Sequence, residues 1–183
     1  MTIKFFDDFI TQKQCNQLYD WTYENRNKKF FMPVGDLHGR LTNRTTTRFY
    51  NQYIDFPELA YTIRKNIDQL TCFDQSKLPP FYKGIYSGLQ LVSEGSEYSM
   101  HTDPVYYDDT ITVHCNIVVN QTVGGELYTN DSTVEMQQGR LVIIPVSEIS
   151  HGVRKLKYDM PRNLWVFGYC ISKDRWLNFL TSH

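Results

Sequence analysis

Apolar positions change their period near residue 80. Before that point they recur every three or four residues. Cys15, Leu18, Trp21 and Thr22 form one stripe, and Thr11 stands ahead of it as a cap. This predicts a helix from Thr11 to about Asn25. Leu59, Ile63, Ile67 and Leu70 form a second stripe, introduced by Asp55 and Pro57, which predicts a second helix. Residues 26–56 between them are polar and irregular, and Pro33 to Arg48 reads as a long loop. Lys77 to Pro80 breaks the chain. From Phe81 the period becomes two. Ile85, Ser87, Leu89 and Leu91 share one face of a strand, with Tyr86, Gly88 and Gln90 on the other. Thr110 to Asn120 is a strong strand with Val113, Cys115, Ile117 and Val119 on one face. Short strands follow at Glu126–Thr129, Thr133–Met136 and Arg140–Pro145, with turns at Gly124-Gly125 and Gln138-Gly139. The last strand, Asn163 to Ser172, is apolar on both faces, so both should be covered.

Two helices followed by six to eight strands predict a mainly β fold with supporting α. The order suggests a β-sandwich or jelly roll backed by the N-terminal helices. A chain of 183 residues fits a single domain. Residues 1–80 would supply helical support and the polar loop, and 81–175 the β core. Composition agrees. Aromatics reach 15%, which excludes disorder, and Ala60 is the only alanine, which argues against a helical bundle. The net charge of −1 lacks the basic excess of a nucleic-acid binder. No apolar run is long enough to span a membrane, and Asp7 and Asp8 interrupt the N-terminus where a signal peptide would be apolar. With four cysteines and no CxxC pair, the expectation is a cytoplasmic protein with free thiols.

The chemistry concentrates in Tyr98-Ser-Met-His101-Thr-Asp103. In extended chain His101 and Asp103 point to one face. They supply two thirds of a facial metal triad, and His151, after a later apolar strand, is the candidate third ligand. Two His and one carboxylate leave three positions open on an octahedral iron, enough for a bidentate cosubstrate and dioxygen. Zinc would use the same set for hydrolysis. Arg162 opens the last strand on the face of Leu164, Val166 and Gly168. Its guanidinium can hold the far carboxylate of a diacid bidentately. Arg140 and Arg154 are the rival anchors.

The ordered set His101-x-Asp103, Gly124-Gly125-Glu126-Leu127, Gly139-Arg140-Leu141-Val142-Ile143, His151-Gly152-Val153 and Arg162 resembles the Fe(II)- and 2-oxoglutarate-dependent dioxygenases. The likeness is to their prolyl 4-hydroxylase-like branch and runs from about Ile85 to Cys170. The segment FFDDFITQKQCNQLY also looks like the helical lead-in of that branch. The resemblance implies a double-stranded β-helix, with His101, Asp103 and His151 binding Fe(II) and Arg162 binding 2-oxoglutarate. Tyr98, Leu127 and Val153 match positions beside the cosubstrate. It implies hydroxylation of a C–H bond with O2, release of succinate and CO2, and ascorbate as an accessory reductant. The implied substrate is a prolyl residue in a peptide, or a small molecule such as a free amino acid. Asp103 stands where halogenating relatives have Ala or Gly, and Gly168 where nucleic-acid demethylases carry a second Arg. Tyrosines found in relatives fall at Leu91-Val92-Ser93 and at about Ile117 here.

Other residues have simpler readings. His101 and Asp103 alone also read as a surface turn pair, and His151 as a half-buried structural histidine. His114, facing away from Cys115 and Ile117, reads as structural, or as lining a pocket with Asn116 in a reversed register. Asp36 and His38 read as loop residues. Tyr86, Gln90 and Tyr106 are candidate substrate contacts, and Pro33 to Arg48 a candidate lid. Two other functions stay open. One is a non-catalytic jelly-roll module binding a metal or ligand. The other is a cupin-like, metal-dependent isomerase, which needs no 2-oxoglutarate anchor.

Overall fold

The computed structural model describes residues 2–25, 31–34, 41–43, 46–50, 56–73, 87–92, 97–157 and 161–183; for 31–34, 41–43, 46–50 and 87–92 it describes the backbone alone. The strands are β1 (Lys4–Phe6), β2 (Phe31–Val34), β3 (Leu41–Asn43), β4 (Thr46–Tyr50), β5 (Ser87–Val92), β6 (Glu97–His101), β7 (Thr110–Val118), β8 (Leu127–Thr129), β9 (Thr133–Val134), β10 (Leu141–Ile144), β11 (His151–Val153) and β12 (Arg162–Ser172). The helices are α1 (Gln12–Asn25), α2 (Glu58–Thr71) and α3 (Lys173–Ser182). No helix among the described residues is long and apolar enough to cross a membrane.

The strands form two antiparallel sheets. A seven-stranded sheet runs β1-β10-β7-β12-β5-β4-β2, and a five-stranded sheet runs β3-β6-β11-β8-β9. They face one another as a jelly roll. β7 and β12 sit at the centre of the larger sheet and pair from Leu164 with Val118 to Ser172 with Thr110. Both are buried on both faces, because helices cover one face and the second sheet covers the other. Ile111, Val113, Cys115 and Ile117 pack with Trp165, Phe167, Tyr169 and Ile171 toward the helices. Cys15 and Leu18 of α1, Ile63 and Ile67 of α2, and Trp176 and Phe179 of α3 close that layer. The opposite faces contribute Val118, Leu164 and Val166 to the inter-sheet core, with Val142 and Ile144 of β10 and Leu127 of β8.

Both long helices follow local signals. Thr11 Oγ1 accepts from the Gln14 amide at 3.3 Å, and Gln14 Oε1 accepts from the Thr11 amide at 2.8 Å. That is a reciprocal capping box. The buried stripe of α1 is Cys15, Leu18, Thr22 and Asn25, with Trp21 at its margin. The stripe of α2 is Ala60, Ile63, Ile67 and Thr71, with Leu59 and Leu70 beside it. α2 is also tied to β12 where the Tyr169 hydroxyl donates to Asp68 Oδ1 at 2.7 Å.

The expected loop from Pro33 to Arg48 needs correction, since it contains strands. β4 pairs with β5 and β2 pairs with β4, extending the larger sheet, while β3 pairs with β6 in the smaller one. The division into helical support before residue 80 and β core after it fails for the same reason, and because β1 pairs with β10. The segment Thr46-Thr47-Arg48-Phe49-Tyr50 is rich in β-branched and aromatic residues, a strand propensity without apolar alternation. The last helix, α3, also goes beyond the sequence reading. Ser172 caps it by accepting from the Arg175 amide at 3.3 Å. Asp36, His38, Asp55 and Tyr86 lie outside the described residues.

Candidate metal centre

The smaller sheet arranges the chemistry in rows. His101 ends β6 and pairs with His151 at the start of β11, which pairs with Thr129 of β8. One pleat further along, Tyr98 pairs with Val153, and Val153 with Leu127. A register shift between His151 and Val153 sets three residues of β6 against two of β11. This bulge brings Tyr98 and His101 into adjacent rows despite their odd spacing. Tyr98 and Val153 pack together as a small buried cluster.

Asp103 lies just past β6. Its amide donates to the Val146 carbonyl at 2.8 Å, and Thr112 Oγ1 donates to the Pro104 carbonyl at 3.0 Å. The segment carrying Asp103 is thereby fastened to the larger sheet. Asp103 Oδ1 then stands 3.6 Å from His101 Nε2. One ligand atom from each of His101, Asp103 and His151 falls within 4.8 Å of the others. The side chains of His101 and Asp103 remain 16% and 17% exposed, so the group sits at a mouth that solutes can reach.

The hydrogen bonds of the two imidazoles fit a metal. His101 Nδ1 lies 2.8 Å from the Ser99 carbonyl, and His151 Nδ1 lies 2.9 Å from the Ile149 carbonyl. A carbonyl only accepts, so Nδ1 carries the proton in each ring, and Nε2 presents its lone pair to the cluster. Backbone carbonyls commonly orient metal-binding histidines in this way. Two such nitrogens and a carboxylate form a mixed N/O set suited to a divalent transition metal.

Arg162 lies beyond the Tyr98–Val153–Leu127 row. It is 1% exposed and its Nη1 donates to the Gly125 carbonyl at 2.9 Å. Gly125 precedes Leu127 by two residues, and Leu127 precedes Thr129 by two. The order along β8 is therefore guanidinium, apolar row, histidine row, with about 7 Å between successive rows. Gly125 has φ +77°, and a Cβ there would stand 2.9 Å from Leu156 Cδ1 and 3.2 Å from Arg162 Cδ. Glycine at this position thus serves both the turn and the seating of Arg162.

The rival anchors point elsewhere. Arg140 pairs with Asp7 and covers the Phe5 ring at the edge of the larger sheet. Arg154 is exposed and stacks 4.3 Å over the Tyr128 ring. Tyr106 is half-buried in the segment after Asp103. Gln90 occupies the register position opposite Leu164, and its side chain lies outside the described set. Ile117, matched above to a tyrosine of relatives, belongs to the helix-covered core, whereas Val118 faces the inter-sheet interior.

Of the two readings of His114 given above, the reversed register holds, since Cys115 and Ile117 face the helices and Val118 the second sheet. His114 is buried at 7% exposure on the interior face of β7. Its Nε2 stands 3.8 Å from Asp103 Oδ2. The only available signal was its alternation with Cys115 and Ile117, which puts it opposite the helix-facing residues.

No family model and no curated protein matches the sequence. Solved structures do. A Pseudomonas putida prolyl-4-hydroxylase aligns with TM-score 0.67 at 18% identity, covering 93% of this chain and 92% of its own. A viral collagen prolyl hydroxylase from Paramecium bursaria Chlorella virus-1, solved as its 2OG complex, aligns with TM-score 0.63 at 14% identity, covering 91% and 96%. A prolyl hydroxylase from Trichoplax adhaerens, in complex with a hypoxia inducible factor oxygen degradation domain peptide fragment, aligns with TM-score 0.67 at 13% identity, covering 96% and 86%. At these identities the likeness is one of fold.

Proposed function

We propose that the chain is an Fe(II)- and 2-oxoglutarate-dependent dioxygenase that hydroxylates an unactivated C–H bond. The substrate class is a prolyl residue in a peptide, or a free amino acid. One arrangement carries the reading: the cluster of His101, Asp103 and His151, the apolar Tyr98–Val153–Leu127 row beside it, and the buried Arg162 beyond. A molecule that chelates metal at one end and carries a carboxylate at the other matches that order. The similar structure holding 2OG supports the cosubstrate, and the one holding a peptide supports a peptide substrate. Hydrolysis or isomerisation at the same ligands needs no buried guanidinium at this remove. The four free thiols agree with a reducing, cytoplasmic setting.

Each residue then has a defined task. His101, Asp103 and His151 hold the metal through two Nε2 atoms and a carboxylate oxygen, and the Ser99 and Ile149 carbonyls keep both imidazoles in the required tautomer. Bound iron supplies the redox and dioxygen chemistry that couples oxidative decarboxylation of 2-oxoglutarate to C–H hydroxylation. Arg162 pairs with the distal carboxylate, its strength raised by burial and its orientation set by Gly125. Tyr98, Val153 and Leu127 exclude water from the methylene chain between the two ends. The 104–110 segment borders the mouth and is where substrate specificity would reside.

The test is turnover. Purified chain with Fe(II), 2-oxoglutarate, ascorbate and O2 should form succinate, and proline-containing peptides should be screened for faster turnover and a mass gain of one oxygen. His101→Ala should abolish succinate formation. Wild-type protein that binds Fe(II) and yields no succinate with or without peptide contradicts the proposal.

A further inference from the structure

In the reading of His101, Asp103 and His151 as a metal centre, Asp103 turns Oδ1 toward His101 and Oδ2 toward His114. Building on that reading, we propose that His114 is a positioning residue that holds Asp103 Oδ2, so that the carboxylate meets the metal through Oδ1 alone.

The placement follows from β7. His114 lies between Ile144 of β10 and Gly168 of β12 in the sheet register. The residue directly opposite on β12 is glycine, so no side chain faces the imidazole at that register position. The Asp103 segment is fastened to the same region, through Thr112 Oγ1 to the Pro104 carbonyl and the Asp103 amide to the Val146 carbonyl. Thr112 is the next residue on the interior face of β7, so His114 and Asp103 share one rigid base. The two carboxylate oxygens then face different partners. Oδ1 is 3.6 Å from His101 Nε2, and Oδ2 is 3.8 Å from His114 Nε2. The latter distance exceeds a hydrogen bond. With the Asp103 backbone pinned, rotation of its carboxylate is the movement that closes it. His114 Nε2 is shielded from solvent, so bulk water does not occupy the imidazole nitrogen.

The consequence is a coordination count. Three ligand atoms leave three positions on a six-coordinate metal, enough for a chelating keto acid and O2. A carboxylate binding through both oxygens would consume one of them. With its proton on Nε2, His114 would donate to Oδ2 and disfavour that mode, and second partners of this kind typically change metal affinity by about 10–100-fold.

The experiment uses anaerobic full-length protein and Co(II) as the probe, with affinity from equilibrium titration and coordination from the visible d–d bands. His114→Leu removes the donor and is expected to weaken Co(II) binding about 10–100-fold and to change the d–d spectrum, with the thermal melt retained. His114→Gln extends an amide N–H to the place of Nε2 and should recover most of the affinity and the wild-type spectrum. If His114→Leu does not fold, His114→Asn replaces it, since its amide is too short to reach Oδ2 and the same loss is expected. Wild-type affinity and spectrum in the donorless variant overturn the proposal, as does equal loss in the Gln variant. A loss as complete as that of His101→Ala would make His114 a fourth ligand and also overturn it. If His101→Ala itself binds Co(II) like wild type, the metal-centre reading fails, which separates that failure from failure of the His114 role.

Discussion

Substituting Gly125 by Ala links the fold to the proposed cosubstrate site. The residue has φ +77°, a conformation that costs a non-glycine residue about 1–2 kcal/mol. The added Cβ would also approach Leu156 Cδ1 to 2.9 Å and Arg162 Cδ to 3.2 Å. Both side chains are 1% exposed, so neither retreats into open space. Displacing them from their rotamers adds about 0.5–1.5 kcal/mol. A total of about 1.5–3.5 kcal/mol in a chain of this size lowers the melting temperature by about 3–14 °C. Arg162 shifts with Gly125, because its Nη1 bonds the Gly125 carbonyl. Affinity for 2-oxoglutarate should therefore fall about tenfold, the worth of one weakened charged hydrogen bond. The histidine row lies further along β8, so Mn(II) affinity should stay at the wild-type value. Differential scanning fluorimetry and calorimetric titration of Mn(II)-loaded protein with 2-oxoglutarate read the two effects. A variant that melts and binds 2-oxoglutarate like wild type refutes the argument that Gly125 seats the arginine.

Arg162→Lys keeps the charge and loses the planar fork; KM for 2-oxoglutarate should rise about 10–100-fold while Mn(II) affinity holds, and an unchanged KM would remove Arg162 from the cosubstrate site. Alkaline pH should destabilise the fold. Burial pushes the Cys15 thiol up from 9.0 to about 11, and raises the Cys115 thiol and the Tyr169 phenol as well. The folded chain keeps protons that the unfolded chain releases above about pH 9, so this stability is complete below that pH and is lost as pH rises toward the folded values. Urea midpoints should fall between pH 8.5 and pH 10.5; a level or rising midpoint contradicts this. Cys72 is exposed, whereas Cys15, Cys115 and Cys170 are buried. One thiol per native chain should label quickly with a maleimide, and Cys72→Ser should abolish that phase; two fast thiols would contradict the packing.

What the sequence reveals depends on how each residue is buried. The strands β7 and β12 are legible because both faces are apolar or closely packed, and the HxD pair is legible because its two ligands are neighbours in the chain. The third histidine and the arginine come from later strands, and only their order, read through a family resemblance, suggested a common site. Burial on both faces hides something too. Alternation along β7 separates His114 from Cys115 without saying which set faces the helices and which the second sheet. The answer rests on the pairing with β10 and β12, which is set by tertiary register. The same one-residue ambiguity put the interior position at Ile117 when it belongs to Val118. Strands β2, β3 and β4 escaped because they are three to five residues long, too short for a period of two to stand out, and two of them extend the margin of one sheet while the third ends the other. Helix α3 is short and buries only Trp176 and Phe179, too brief a stripe for periodicity to separate from the strand before it.

The central claim is that this chain holds iron and 2-oxoglutarate together. The direct measurement is the visible absorption of anaerobic protein titrated with Fe(II) and then with 2-oxoglutarate. A metal-to-ligand charge-transfer band should grow in the green region only after both additions, disappear in His101→Ala because the metal is lost, and require more 2-oxoglutarate in Arg162→Lys. Wild-type protein that binds Fe(II) but develops no band at saturating 2-oxoglutarate would contradict the claim.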